Sequence, residues 1–419
     1  MAEHKITLIH PTGNPFARNA AIALGEVGLL HEIITAIAYN PDNNFARLLK
    51  RFFPASDREL GRRTWIPPEN RFLKTYPLEE IARILLLRTG LARRLGLNNQ
   101  SLADWVYASI DRRVAKKHLT RLAGVYAYED GAAETFSVAK QQGITCFYDL
   151  PIVYYRQSQQ IQQEEAELFP ELAHCLQSIQ EPAWKLERKE RELSLADCII
   201  VPSTAVARSL LNAGVEQEKI NVIPFGSPHD YFQPKLKQDE KFRVLFVGRV
   251  GARKGVHYLL QAWQKLNLAD AELLLVGMNE IGDRYLEKYQ DCFRYIPSVP
   301  HATLNQYYSS ANVFIFPSLV EGLALVLLEA MACGIPIITT ENSGGSDIIT
   351  DRVEGFIIPI RDIEAIQEKL VWCYSHPQEL ADMGKAARKK AEELTWKLYR
   401  DRLSSLVVRV MGEKRQCDR

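Results

Sequence analysis

Two carboxylates, Glu321 and Glu329, are separated by seven residues that are almost wholly apolar. Gly322 follows the first, and Gly334 and Pro336 close the segment. The apolar run is long enough for a buried helix, with Gly334 placed as its C′ residue and proline just beyond. An ionised glutamate in such a helix is costly unless something pairs with it. Glu329 therefore either has a partner in the protein or waits for a ligand. With a helix starting near Leu323, Glu329 lies about two turns below Glu321, ~12 Å at ~1.5 Å per residue. That is of the order of the sugar-to-ribose distance in a sugar nucleotide. The amides of Gly322, Leu323, Ala324 and Leu325 fall between the two acids, where a diphosphate would lie. One carboxylate then accepts from sugar hydroxyls and the other from ribose hydroxyls. The alternative is two glutamates paired with nearby Arg or Lys.

A second set carries positive charge. Gly248-Arg249 precedes Lys254-Gly255 after an apolar run. Arginine can hold a phosphate bidentately and lysine supplies a point charge, so the pair suits a diphosphate; surface solubility is the alternative. Gly13-Asn14 sits between a short apolar run and a helical one, a turn that can offer amides to an anion or simply connect two elements. Ser343-Gly344-Gly345-Ser346 is a small-residue loop before another helix. Glu129 and Asp130 end a further apolar run and either orient a substrate or cap a helix. No Asp-x-Asp occurs in the chain, so no carboxylate pair of that type is available for a metal on a diphosphate, and no metal is expected.

These residues need elements to position them. The flanking runs 312–316 and 335–339 read as buried strands, which makes the glutamate segment one βαβ unit. The same rhythm extends across the chain. Strands are expected at Ile6–His10, His31–Tyr39, Val125–Tyr128, Ile144–Tyr148, Cys198–Val201 and 220–224. A second set falls at Val244–Val247, Leu273–Val276, Phe293–Ile296 and Gly355–Pro359. Helices lie between them, with Ser203 or Thr204 as N-cap of one. The fold class is therefore α/β, with two doubly wound Rossmann-like domains facing across a cleft and ligands at strand carboxyl ends. The expected division is 1–226, then 227–394, then 395–419 as a C-terminal helix returning to the first domain.

The bulk numbers agree. At 419 residues, 47% hydrophobic and 25% charged, the chain has the composition of an ordinary two-domain globular protein. No apolar run reaches spanning length, and the N-terminus lacks a signal-peptide pattern. Seven scattered cysteines without a CxxC pair argue for reduced thiols in a cytoplasmic setting. The net charge of +1 is unevenly placed: residues 41–120 hold 16 Lys+Arg against 8 Asp+Glu, a net of +8, leaving −7 elsewhere. This divergent basic insertion suits an anionic membrane surface, a lipid-linked phosphate acceptor or nucleic acid, or is a solvated surface. Within it, the run 45–53 is amphipathic and basic, fit for a membrane interface or for packing on the domain. The Leu/Arg-rich stretch 81–97 reads as one helix.

The sequence resembles the family-4 (group 1) retaining glycosyltransferases of GT-B fold. The resemblance is carried by Gly248-Arg249…Lys254-Gly255, Pro317-Ser318…Glu321-Gly322…Leu328-Glu329-Ala330-Met331-Ala332, Gly334-Ile335-Pro336 and Gly344-Gly345. It is strong over about residues 195–400, weaker over 5–39 and absent over 41–120. The resemblance implies that Arg249 and Lys254 hold the donor diphosphate, Glu321 contacts the donor sugar and Glu329 the ribose. Ser298-Val299 would lie against the base, and Trp396–Val410 would cross back to the first domain. Leu323-Ala324 stands where the family often has phenylalanine and glycine. Tyr148 and Asp149 stand where many members carry a histidine; a Tyr148 hydroxyl there could hydrogen-bond the donor. The implied activity is a metal-independent, retaining transfer from a UDP-, GDP- or ADP-sugar to a hydroxyl acceptor (a glycan, lipid-linked or small molecule). No cofactor and no nucleic acid are expected. Contact with the inner face of an anionic membrane would be peripheral. Rival readings are a glycogen-synthase-like or phosphorolytic enzyme of the same fold, or a sugar-nucleotide-binding protein without turnover.

Overall fold

A computed structural model of the protein describes residues 5–40, 47, 51, 65 and 72–417. The run 45–53 falls outside the described residues except for Arg47 and Arg51. The chain forms two compact units. One comprises Met1–Leu150, Pro182–Ile200 and Arg400–Arg419; the other comprises Pro151–Glu181 and Val201–Tyr399.

The first sheet contains β1 (Ile6–Ile9), β2 (Leu30–Thr35), β3 (Leu73–Thr75), β4 (Gly124–Tyr128), β5 (Thr145–Asp149), β6 (Cys198–Val201) and β7 (Ile220–Val222), in the order β3-β2-β1-β4-β5-β6-β7. Strands β1, β4, β5 and β6 are buried along their whole length. Their nearly continuous apolar sequence fits parallel strands covered on both faces. β1 runs parallel to β4 with Ile6–Ile9 in register with Gly124–Ala127. The order reverses between β1 and β4, which brings the Gly13-Asn14 turn and the Glu129-Asp130 turn to the switch point of this sheet.

The second sheet contains β8 (Phe242–Val247), β9 (Ala271–Val276), β10 (Phe293–Ile296), β11 (Val313–Phe316), β12 (Ile337–Thr340) and β13 (Gly355–Ile358), in the order β10-β9-β8-β11-β12-β13. Each neighbouring pair in this order is parallel. Here the switch point lies between β8 and β11. The loops that leave these two strands carry Gly248–Gly255 and Pro317–Gly322. The doubly wound α/β class expected from sequence is thus present twice.

Helix ends follow local chemistry. Pro15 opens the helix Pro15–Glu26, where its missing amide costs nothing. Ser203, not Thr204, caps the helix Thr204–Asn212 by accepting from Val206 N. The stretch expected as one helix over 81–97 is two, Leu78–Arg88 and Leu91–Arg94, broken at Gly90 with φ 71°. Between β5 and β6 lie helices Tyr155–Leu168 and Ala183–Leu195, joined by two short 3₁₀ turns. The last helix spans Trp396–Cys417. Among the described residues no helix is long and apolar enough to cross a membrane, and six cysteines are free thiols.

Candidate active site

The site in the second unit is assembled by three loops whose backbones nearly touch. Gly248 (φ 150°) follows β8 and Gly277 (φ 148°) follows β9; a Cβ on Gly277 would lie 1.7 Å from the Gly248 carbonyl oxygen. The amide of Val250 donates to Met278 O at 2.8 Å, and the amide of Glu280 donates back to Val250 O at 2.9 Å. Arg249 is thereby held at the rim, half exposed, with Nη1 2.7 Å from Glu280 Oε1.

The next turn brings Lys254 inward. Gly255 (φ 67°) packs so closely that a Cβ would stand 2.0 Å from Pro317 O. The loop after β11 is stitched to this turn: Leu319 N donates to Arg253 O at 2.9 Å and Ser318 Oγ to the same oxygen at 3.2 Å. Both neighbouring cations converge on one acid. Arg253 Nη1 donates to Glu321 Oε1 at 3.0 Å and to Val320 O at 2.8 Å, and Lys254 Nζ contacts the same Oε1. The ammonium also lies 5.0 Å from the centroid of the Phe316 ring. Burial pushes the Lys254 ammonium well below its ordinary range, and Arg253 and Arg249 add to this, while Glu280 opposes them. Three charges on one oxygen sum to +1, which leaves the cluster able to take a further anion.

Glu321 is fixed from behind as well. Its amide donates to Asn342 O at 3.0 Å, and Asn342 Nδ2 donates to Leu319 O at 2.9 Å. Gly322 forms an antiparallel bridge with Ile152, and a Cβ there would meet Pro151 O at 1.8 Å. Ser203 Oγ donates to Gly322 O at 2.7 Å. The small-residue loop supports the same turn: Gly344 (φ 77°) passes Gly322 O at a distance a Cβ would reduce to 2.5 Å. Ser343 O accepts from Ala324 N at 3.2 Å. Leu323 and Ala324 are buried, and the helix runs Leu325–Ala332 rather than starting near Leu323. The four amides expected to be open therefore lose one, Ala324, to the protein.

Glu329 has partners. Tyr308 Oη donates to Oε2 at 2.8 Å and His301 Nε2 lies 2.8 Å from Oε1. Burial and the adjacent carboxylate push the Tyr308 phenol well above its ordinary range. Of the expected base-side residues, Ser298 is exposed and Val299 half-buried in the loop after β10. Arg253, Glu280, His301 and Tyr308 were not among the residues singled out from sequence. Arg253 was adjacent to one of them, and the other three join the site only through folding.

The first-unit residues are placed differently. In the Gly13-Asn14 turn, the Asn14 amide group lies 3.4 Å from His10 Nε2, and Thr12 N donates to His10 Nδ1 at 3.0 Å. Burial pushes the His10 imidazole down to about 4. Tyr148 is fully buried with its hydroxyl 3.3 Å from Glu192 Oε2. Asp149 is buried too, accepting from Tyr126 Oη at 2.6 Å, and burial pushes its carboxyl up to about 7. The Tyr148 hydroxyl and the Asp149 carboxylate, which stand where many of the resembled enzymes carry a histidine, are thus interior groups. Glu129 pairs with Lys189 at 3.6 Å and Asp130 (φ 70°) with Lys185 at 3.0 Å. Neither caps the following helix, Ala133–Gln141. Its first amides go to Glu192 Oε1, from Ala132 and Ala133, and to Asp111, from Glu134 and Thr135.

Part of the chain is similar in sequence to known proteins, and its fold to solved structures. The sulfoquinovosyl transferase SQD2 of Arabidopsis thaliana is 30% identical over 236 residues, 52% of this chain and 45% of that protein. The chain spans about half the length of the first sequence relatives it matches. Sucrose-phosphate synthase from Thermosynechococcus elongatus superposes with a TM-score of 0.65 at 20% identity, over 98% of this chain and 100% of that one. HepE from Anabaena, in complex with UDP-glucose, superposes with a TM-score of 0.61 at 14% identity, over 96% and 99%. The fold is that of the GT-B glycosyltransferase structures, and residues 229–390, which hold Arg249, Arg253, Lys254, Glu321 and Glu329, match the model of the group 1 glycosyl transferases.

Proposed function

We propose that the protein is a family-4 glycosyltransferase that moves a sugar from a nucleotide-diphosphate sugar to a hydroxyl acceptor, with retention and without a metal. The observation that carries this reading is the convergence of Lys254 and Arg253 on Glu321 at the carboxyl ends of β8 and β11. In this reading the donor diphosphate joins the positive cluster and draws Arg249 from Glu280. The cations stabilise the charge that develops as the nucleotide leaves. Glu321 accepts from the sugar hydroxyls. Glu329 accepts from the ribose, since a carboxylate has room for further donors beside Tyr308 and His301. The leaving phosphate takes the acceptor proton on the face it departs from. HepE holds UDP-glucose in its own structure, which makes UDP-sugars the first donors to try. Residues 1–226 would bind the acceptor (a glycan, lipid-linked or small molecule), 227–394 the donor, and 395–419 would return to the first domain. The chain would work in glycoconjugate or polysaccharide synthesis in the cytoplasm, with peripheral contact at an anionic membrane.

The test is a thermal-shift screen of UDP-, GDP- and ADP-sugars, since a ligand bound only to the folded state raises its Tm. Release of nucleoside diphosphate from the stabilising donor follows, with and without EDTA. Lys254→Ala and Glu321→Ala should each lower turnover about a hundredfold or more; near-normal turnover in either sinks the assignment. Loss of activity in EDTA refutes metal independence, and an inverted anomer by NMR refutes retention.

A further inference from the structure

Behind the Lys254 turn lies a buried ionic group with no part in the donor chemistry. Glu165 and His257 are both fully buried. His257 Nε2 stands 2.5 Å from Glu165 Oε1. The other oxygen, Oε2, accepts from Arg361 Nε at 2.8 Å and from Tyr258 Oη at 3.3 Å. Arg361 (φ 64°) also donates to Glu164 Oε2 at 2.8 Å and to Ile161 O at 2.7 Å, so it grips the helix Tyr155–Leu168 through side chains and backbone. Just past that helix the Phe169 ring stands edge-on to His257, with centroids 4.7 Å apart. Cys175 Sγ then accepts from Ala252 N at 3.4 Å.

Stability alone does not explain this arrangement. A buried ion pair loses in desolvation much of what it gains in attraction, and apolar side chains of the same volume often serve as well. What the group does fix is a position. His257 lies in the first turn of the helix Val256–Lys265, two residues past Gly255 (φ 67°) and three past Lys254. Ala252 opens the 3₁₀ turn that ends at Lys254. Both ends of the Lys254 turn are therefore tied to the segment 165–175: at His257 by Glu165 and Phe169, and at Ala252 by Cys175. A carboxylate is a directional anchor, because it accepts along its lone pairs and an imidazole donates along a single N–H. We infer that Glu165, acting through His257, is a positioning residue that holds Lys254 against Glu321. Its consequence for a donor rests on the proposed reading of Lys254 as a cation for the diphosphate; its effect on Lys254 itself does not.

Acetylation of the full, donor-free chain by acetic anhydride, read by peptide mass spectrometry, tests it. The rate at Lys254 is taken relative to that at Lys385, whose side chain is 75% exposed. Glu165→Gln and His257→Leu should each raise this ratio about tenfold as the turn opens. His257→Gln, whose amide N–H reaches towards Glu165 as Nε2 does, should restore most of the protection. Leu380→Ala opens a cavity in the helix Pro377–Glu393 of the same unit and should leave the ratio at its wild-type value. A wild-type ratio in Glu165→Gln and His257→Leu overturns the inference, and so does an equal rise in Leu380→Ala, which would mean general loosening. Where Glu165→Gln does not fold, His257→Leu against His257→Gln decides the question, since both keep the Glu165–Arg361 contact. With UDP-glucose as probe, His257→Leu should raise KM about tenfold with a smaller change in kcat. A raised labelling ratio beside a wild-type KM refutes the diphosphate role of Lys254 and leaves its positioning by Glu165 standing.

Discussion

Burial acts with opposite sign on two first-unit residues, Asp149 and His10. Asp149, pushed up from 3.8 to about 7, binds its proton more tightly in the folded state. Its contribution is fully present below the unfolded value and is lost as pH rises through the folded one, so stability falls between about 4 and about 7. His10, pushed down from 6.5 to about 4, does the reverse: its contribution is present above 6.5 and is lost as pH falls towards 4. The windows overlap, so the wild-type curve should be flatter than either group alone would give. Asp149→Asn keeps an acceptor for Tyr126 and removes the titration. Its stability should lose the downward slope, an effect on the order of 3 kcal/mol over the window, and leave the His10 rise exposed. Hydrogen exchange of β4 and β5 amides from pH 4 to 7 reads this. An unchanged slope in Asp149→Asn would mean that the residue does not titrate there.

At the scale of elements, backbone approach rather than side-chain chemistry fixes the loops that carry Lys254 and Glu321. Gly255 and Gly282 both have positive φ, 67° and 92°, but only Gly255 faces another backbone; nothing lies within 4 Å of a Cβ on Gly282. Gly282→Ala should therefore cost only the torsional penalty, about 1 kcal/mol. Gly255→Ala should cost about 2 kcal/mol more and reduce the donor-induced Tm shift, because Lys254 moves with the turn. Equal costs in denaturant melts would show that the Pro317 carbonyl yields freely. Periodicity had placed much of this scaffold: β10 lies at Phe293–Ile296 as expected, and the strands flanking the Glu321 segment and Gly334 (φ 72°) behind its helix are present. What periodicity missed depends on distant partners. The helix starts at Leu325 because Ala324 N is spent on Ser343, nineteen residues downstream. Whether Glu329 has a partner in the protein or waits for a ligand is open in the sequence because its partners, His301 and Tyr308, precede it by 28 and 21 residues. In 78–88 the helical period is legible, but a period does not say which face is buried, and here Leu78, Ile81 and Leu85 are exposed.

The whole chain changes unit four times, after Leu150, Glu181, Ile200 and Tyr399. The first unit is consequently completed by residues from the far end of the sequence. Leu403 and Val407 of the last helix are fully buried, and Arg400 pairs with Glu26 at 3.1 Å. Leu370 in the helix Ile363–Ser375 is equally buried and belongs to the second unit. Truncating either leucine to alanine leaves a cavity worth about 2–5 kcal/mol, but the loss should appear in different places. Leu403→Ala should lower hydrogen-exchange protection in β1, β4 and β5 although the substitution lies some 250 residues or more away in sequence. Leu370→Ala should do so in β8, β11 and β12 and diminish the donor-induced Tm shift. The second sheet lies wholly in the second unit, and β1 to β5 of the first sheet lie wholly in the first, so the damage should stay in the strands of the unit where the leucine is buried. Equal loss of protection in both sheets from either variant would mean that the two units unfold as one cooperative body, and that the second sheet draws its stability from residues outside 151–181 and 201–399.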